Sequence, residues 1–167
     1  MSATTPPGHP RPDILLGPAE TETLLLAATR APSLYNSQPW RFAVGPRHVE
    51  LYTDASRQLR NADPTGRSLL VSCGAALFKL RVATEHLGFH PRVRVLPDEA
   101  DPALVAVTDV GHRRPHPGGL AGYYPSIADR RTNRQPFTAQ LIPSSAHSAP
   151  SRPGHIRRSA TWGTPRV

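Results

Sequence analysis

Pro32-Ser33-Leu34-Tyr35-Asn36-Ser37-Gln38-Pro39-Trp40 is a polar loop closed by a proline near each end. It separates two hydrophobic periods. Before it, Leu24, Leu25 and Ala28 recur at helical spacing. After it, Trp40, Phe42 and Val44 alternate with Arg41 and Ala43. A helix that gives way to an alternating strand across so short a loop points to a mixed α and β fold.

The helix is expected over 18–30. Pro18 suits the first helical position, and Glu20 and Glu22 suit the positive end of the dipole. Ala31 precedes Pro32, whose ring disfavours helical backbone before it. On the other side of the loop, Gly45-Pro46-Arg47 is a turn signal, and Val49 and Leu51 alternate with polar neighbours. That pattern reads as an antiparallel hairpin.

Further along, a long helix is expected over about 64–87. Asp63 is its expected N-cap and Pro64 its first residue. Leu69, Leu70, Cys73, Ala76, Leu77, Leu80, Ala83 and Leu87 mark one face. Gly88 is the expected stop. Such a helix is roughly 35 Å long at 1.5 Å per residue. Its centre, Ser72-Cys73-Gly74-Ala75-Ala76, is small on every side, which suggests close packing there. Strands are expected over 92–96 and 104–108, with a linker over 109–122. A short helix is expected near Ser126, with Asp129 completing a capping box.

Both ends differ from this pattern. Residues 1–16 hold four prolines and read as disordered. Residues 138–167 hold four arginines, no acid and no apolar stripe. They read as a disordered basic tail, or as the product of a frameshift. The net charge is +8 and the sequence pI about 10.9. Half of the excess lies in that tail, since residues 1–137 hold 16 Lys and Arg against 12 Asp and Glu. The charge therefore gives little support to a nucleic-acid partner, and the aromatic residues show no stacking pattern. There is one cysteine, Cys73, so no intrachain disulfide framework exists. No apolar run approaches the roughly 20 residues that span a bilayer, and residues 1–12 lack a signal-peptide core. A cytoplasmic protein is expected, without membrane or nucleic-acid partner.

Two segments could carry chemistry. The first is the loop, where Ser33, Asn36 and Gln38 offer both donors and acceptors. Such a set suits the pyrimidine edge of a flavin ring. The alternative is a loop whose side chains cap the preceding helix. The second is Arg130-Arg131-Thr132-Asn133-Arg134, three guanidinium groups and a hydroxyl in five residues. Arginine matches phosphate oxygens through bidentate, charge-assisted bonds. The alternative is a solvated basic turn. Cys73 falls on an apolar helix face and reads as core. His112 and His116 are four apart, but Pro115 between them argues against a helical metal pair, and no metal site is expected. No dinucleotide fingerprint, P-loop or Ser-His-Asp arrangement is present.

Ala31 to Phe42 resembles the PSxxNxQPWxF loop of nitroreductase-superfamily flavoproteins. The likeness is sharper to the Acg-like actinobacterial branch of NAD(P)H nitroreductases. It extends through Leu51-Tyr52, Arg57-Gln58-Leu59, Ala62 to Arg67, Ser72 to Leu77, Pro91-Arg92-Val93 and Arg130 to Phe137, and so covers about 19–137. The resemblance implies an α+β sandwich of antiparallel strands and helices. It implies FMN held at a subunit interface, or between two internal repeats in the Acg-like branch. Ser33, Asn36 and Gln38 would then lie near the flavin ring, and Arg130, Arg131, Thr132 and Arg134 near its phosphate. Hydride would pass from NAD(P)H through FMN to a nitro, quinone or similar small-molecule acceptor. No side chain would be catalytic, since the flavin carries the chemistry. A homodimer is compatible with the family. Leu34 departs from the pattern, standing where many relatives carry a second serine. Acg-like proteins are about twice this long, so the sandwich is expected to be incomplete, with a second repeat beginning near 126–137. Two other outcomes stay open: a protein that binds or sequesters flavin without turnover, and an inactive truncated fragment.

Overall fold

Local sequence signals set the order of elements in the computed structural model, which describes residues 15–116 and 118–132. The first helix, α1, spans Pro18–Thr29. The backbone N–H of Gly17 donates to the Glu20 carboxylate at 2.9 Å, satisfying one of the donors that a helix start leaves unpaired. Leu24, Ala27 and Ala28 are buried. Ahead of the helix, Leu16 N–H donates to the Pro46 carbonyl at 2.8 Å, so the end of the expected disordered lead-in is tied to the hairpin turn.

The hairpin forms as expected. Strand β1 (Trp40–Val44) pairs antiparallel with β2 (His48–Thr53), Trp40 facing Thr53 and Val44 facing Val49. Strands β3 (Arg92–Val95) and β4 (Leu104–Asp109) complete a four-stranded antiparallel sheet in the order β1-β2-β4-β3. Strand β4 lies inside the sheet, and Val105, Ala106, Val107 and Thr108 are all buried, whereas β3 lies at the edge with three of its four residues exposed. The expected alternation therefore fails on both strands: on β3 only Val93 is partly covered and Val95 is 61% exposed at the sheet edge, and on β4 both faces are covered.

The long helix, α2, spans Arg67–His86 and starts three residues later than the sequence suggests. Pro64-Thr65-Gly66 forms a turn instead, and Gly66 adopts φ 73°, a conformation that glycine reaches without Cβ strain. Asp63 still caps the helix from before the turn. Its carboxylate accepts from Ser68 N–H at 3.0 Å and from Leu69 N–H at 2.8 Å. The buried face is Leu69, Ser72, Cys73, Ala76, Lys79, Leu80, Val82, Ala83 and Thr84. Leu70, assigned to the core by spacing, is 48% exposed. Close packing does not explain Gly74 among the described residues, because a Cβ there would meet nothing within 4 Å.

Helices α1 and α2 pack together, and α2 covers β2 and β4. Leu24, Val49, Leu80, Val82, Phe89 and Val110 form one core, and Trp40, Leu51, Leu69, Cys73 and Val105 form a second nearer the loop. Each large apolar side chain buried this way contributes about 1.5–3 kcal/mol. The last described helix, α3, spans Tyr124–Asp129, beginning two residues before the expected start. Pro125 occupies its first turn. Ser126 makes no capping bond, and Asp129 ends the helix instead of closing a capping box. The expected tail over 138–167, the segment 133–137 and the lead-in over 1–14 lie outside the described residues. So does Arg134. The expected α+β class, with an antiparallel sheet and helices packed on it, is the architecture observed.

Candidate functional site

The loop after α1 is strained and tightly held. A single 3-10 turn, Leu34–Asn36, replaces the open loop suggested by the sequence. Tyr35, Asn36 and Gln38 adopt φ 49°, 58° and 49°. Non-glycine residues pay about 1–3 kcal/mol each in such conformations, and the surrounding bonds must hold them there. Ser33 Oγ accepts the Gln38 N–H at 2.9 Å. The Gln38 carbonyl accepts from Arg57 Nη1 at 3.3 Å and from Trp40 N–H at 2.8 Å. The Pro39 carbonyl accepts from Asp54 N–H at 3.0 Å and from Cys73 Sγ at 3.4 Å. Bonds from Ser33, β1, α2 and the segment after β2 thus fix a loop that local propensity disfavours.

A cleft of about 390 Å³ opens between the end of α1, this loop and the end of α3. Its lining includes Arg30, Asn36, Gln38, Ile127, Arg130 and Arg131. The volume falls within the range of small-molecule sites. Among the described residues, the side-chain amides of Asn36 and Gln38 make no hydrogen bond, so each keeps its donors and acceptor for a ligand. Among the described residues the lining holds three guanidinium groups and no carboxylate.

Of the residues singled out in the sequence, Asn36, Gln38, Arg130 and Arg131 meet at this cleft although nearly a hundred residues separate the two segments. Ser33 acts one step away, bracing Gln38. Thr132 Oγ accepts from Arg130 Nη1 at 3.1 Å and is outside the lining. Arg131 Nη1 donates to the carbonyls of Ala128 at 2.8 Å and Arg130 at 3.0 Å, satisfying acceptors that the end of α3 exposes.

Two residues escaped the sequence reading. Arg30 served there only as the end of a helix. Lys79 lies on the buried face of α2, 7% exposed, and its ammonium donates to the Arg30 carbonyl at 2.7 Å. Burial, then Arg130, then Arg30 hold its pKa below the ordinary lysine value. Its spacing from Ala76 and Leu80 was the available signal, since both flank it on the same buried face. Cys73 is fully buried, and burial pushes its thiol up to about 11. It is a core residue that anchors the loop, as its apolar surroundings implied. Among the described residues, no group of three or more His, Cys, Asp and Glu could hold a metal. Among them, too, no helix is long and apolar enough to cross a membrane.

Over 126 residues the chain is 40% identical to a candidate NAD(P)H nitroreductase of Mycobacterium tuberculosis H37Rv. Over that stretch the chain is similar to the candidate NAD(P)H nitroreductases of the Acg-like branch. Acg itself, from the same organism and also a candidate NAD(P)H nitroreductase, is 36% identical over 126 residues. Each alignment takes in 75% of this chain, but only 36% and 38% of those relatives, so the chain spans little more than a third of their length. No family model matches the chain. Solved structures agree on the fold. A candidate nitroreductase from Desulfovibrio desulfuricans, solved in complex with FMN, superposes with a TM-score of 0.51 at 17% identity, covering 78% of this chain and 89% of that one. A candidate NADH oxidase from Clostridium acetobutylicum gives 0.50 at 17%, covering 62% and 81%. The nitroreductase-like fold therefore carries the cleft between the loop and the end of α3.

Proposed function

We propose that this chain serves an FMN-dependent oxidoreductase, in which hydride passes from NAD(P)H through flavin to a nitro, quinone or similar small-molecule acceptor. The observation that carries the reading is the meeting of two amides, Asn36 and Gln38, with Arg130 and Arg131 in one cleft. The donor set fits FMN. Amides can satisfy the alternating donors and acceptors of a flavin's pyrimidine edge. Guanidinium groups suit its phosphate dianion. Ala31 and Ile127 add apolar surface to the lining. FMN, when bound, supplies the redox-active ring, and the protein's share is binding, orientation and electrostatics.

In this reading Asn36 and Gln38 orient the ring, and Ser33 keeps Gln38 in its left-handed conformation. Arg130 and Arg131 hold the phosphate, with Thr132 bracing Arg130 and Arg134 as a further cation. No side chain of the cleft acts as acid or base. A homodimer belongs to the same reading, because α2 presents Leu70, Val71 and Phe78 at 48%, 66% and 47% exposure, with open space at Gly74. Exposed apolar patches of this kind mark interaction surfaces. The cytoplasm, where NAD(P)H is at hand, is the expected compartment.

The test is anaerobic mixing of the FMN-loaded chain with NADH or NADPH, followed by addition of a nitroaromatic or a quinone. Bleaching of the flavin band, then its return with the acceptor, supports the reading. Retained flavin that neither nucleotide bleaches would replace it with a flavin-storing protein.

A further inference from the structure

The sequence contains 19 arginines and a single lysine, and that lysine is the buried one. Lys79 reaches out of the α2 core to the carbonyl of Arg30, the residue that caps α1 and lines the cleft. A helix end favours a cation, so the contact has a local rationale. That rationale does not account for the charge. A neutral amide would satisfy one carbonyl, whereas burying an ammonium without a carboxylate carries a heavy desolvation cost. Among the described residues Lys79 has no acidic partner. The charged neighbours that act on it, Arg130 from the end of α3 and Arg30 from the end of α1, are both cations. Behind a cleft lined by Arg30, Arg130 and Arg131, a fourth positive charge is held where water screens it poorly.

We propose that Lys79 is a specificity-determining positioning residue of this cleft, its buried ammonium selecting a ligand that carries a phosphate dianion over the otherwise identical neutral ligand. The inference rests on the flavin reading above and goes one step further. It says why the site would take the mononucleotide and reject riboflavin. An anion seated against Arg30 and Arg130 relieves the repulsion among three cations at once, and a neutral ligand relieves none of it. Lys79 stands outside the lining and adds its charge from behind Arg30, whose carbonyl it holds.

The test compares the full 167-residue chain with K79Q and K79M, using FMN and riboflavin as paired ligands. K79Q keeps a donor for the Arg30 carbonyl and removes the charge. The expected result is that K79Q weakens FMN binding about tenfold, the scale of one poorly screened charge, and changes riboflavin affinity less than twofold. K79M, which also loses the donor, should weaken FMN at least as much. If K79Q binds both ligands as the parent does, or loses both equally, Lys79 is only a cap on α1 and the proposal is overturned. If the parent chain binds neither flavin, the flavin reading fails, and inorganic phosphate then decides the matter for Lys79. Thermal stabilisation by phosphate over chloride of equal ionic strength, present in the parent and lost in K79Q, keeps the proposal. Equal curves for the two chains sink it.

Discussion

Ser33 Oγ accepts the backbone N–H of Gln38 at 2.9 Å, closing a loop in which three residues carry positive φ. That bond links the residue that opens the 3-10 turn to the one whose side chain lines the cleft. It stabilises a backbone that would otherwise relax to ordinary dihedrals. Ser33→Ala should therefore cost about 1 kcal/mol of loop order. The expected outcome is a chain with unchanged circular dichroism and flavin affinity about fivefold weaker. Affinity unchanged would show that Arg57, Asp54 and Cys73 suffice to hold the loop.

Asn36 and Arg130 should fail in different ways. Asn36→Ala and Gln38→Ala remove ring contacts, so each should weaken riboflavin and FMN alike, by about 1 kcal/mol per lost hydrogen bond. Arg130→Ala removes a phosphate contact and should weaken FMN about tenfold, as expected for a charge-assisted bond, and leave riboflavin nearly alone. Fluorescence titration with both ligands reads the two patterns directly. A loss of riboflavin affinity in Arg130→Ala would place the ring, and not the phosphate, at the end of α3.

Cys73 should be unreactive in the folded chain. Its pKa, raised by burial to about 11, leaves about one thiolate in a thousand at pH 8, and the sulfur is out of reach of solvent. Iodoacetamide should modify it slowly in buffer and fully in denaturant. The sign of the linkage follows. A pKa raised by folding contributes stability that is complete below the unfolded value near 9 and is lost as pH rises towards 11. Alkaline unfolding of Cys73→Ala should lose that part of its pH dependence.

Asp63 caps α2 across a three-residue turn, with Ser68 and Leu69 as its partners. Asp63→Ala should lower stability by about 1–2 kcal/mol, the usual range for an N-terminal cap. Thermal unfolding of the two chains measures it. A change within experimental scatter would mean that the first turn of α2 frays without loss to the core.

The sequence shows the helix, the hairpin and the polar loop because each has its own local signal: a proline-bounded stop, a period of two, and amides between prolines. It shows Asn36, Gln38, Arg130 and Arg131 because their types suit a flavin and its phosphate. Their convergence depends on packing of α3 beside the end of α1, which no local pattern encodes. Asp63 illustrates the same limit. Its type announces a cap, but Gly66 in a left-handed turn sets the helix start three residues later. Leu70 and Lys79 show the cost of sorting a helix by residue type, since the leucine faces out and the lysine faces in. Of the left-handed backbone at Tyr35, Asn36 and Gln38, only Asn36 has a sequence signature, since asparagine tolerates that conformation and the loop contains no glycine.

The most direct measurement is the visible spectrum of the purified 167-residue chain after incubation with FMN and gel filtration. A band near about 450 nm that travels with the protein is the predicted result, since the loop and the basic end of α3 already form one cleft. A colourless protein peak, with all flavin in the small-molecule fraction, would contradict the claim that Asn36, Gln38, Arg130 and Arg131 hold a flavin nucleotide.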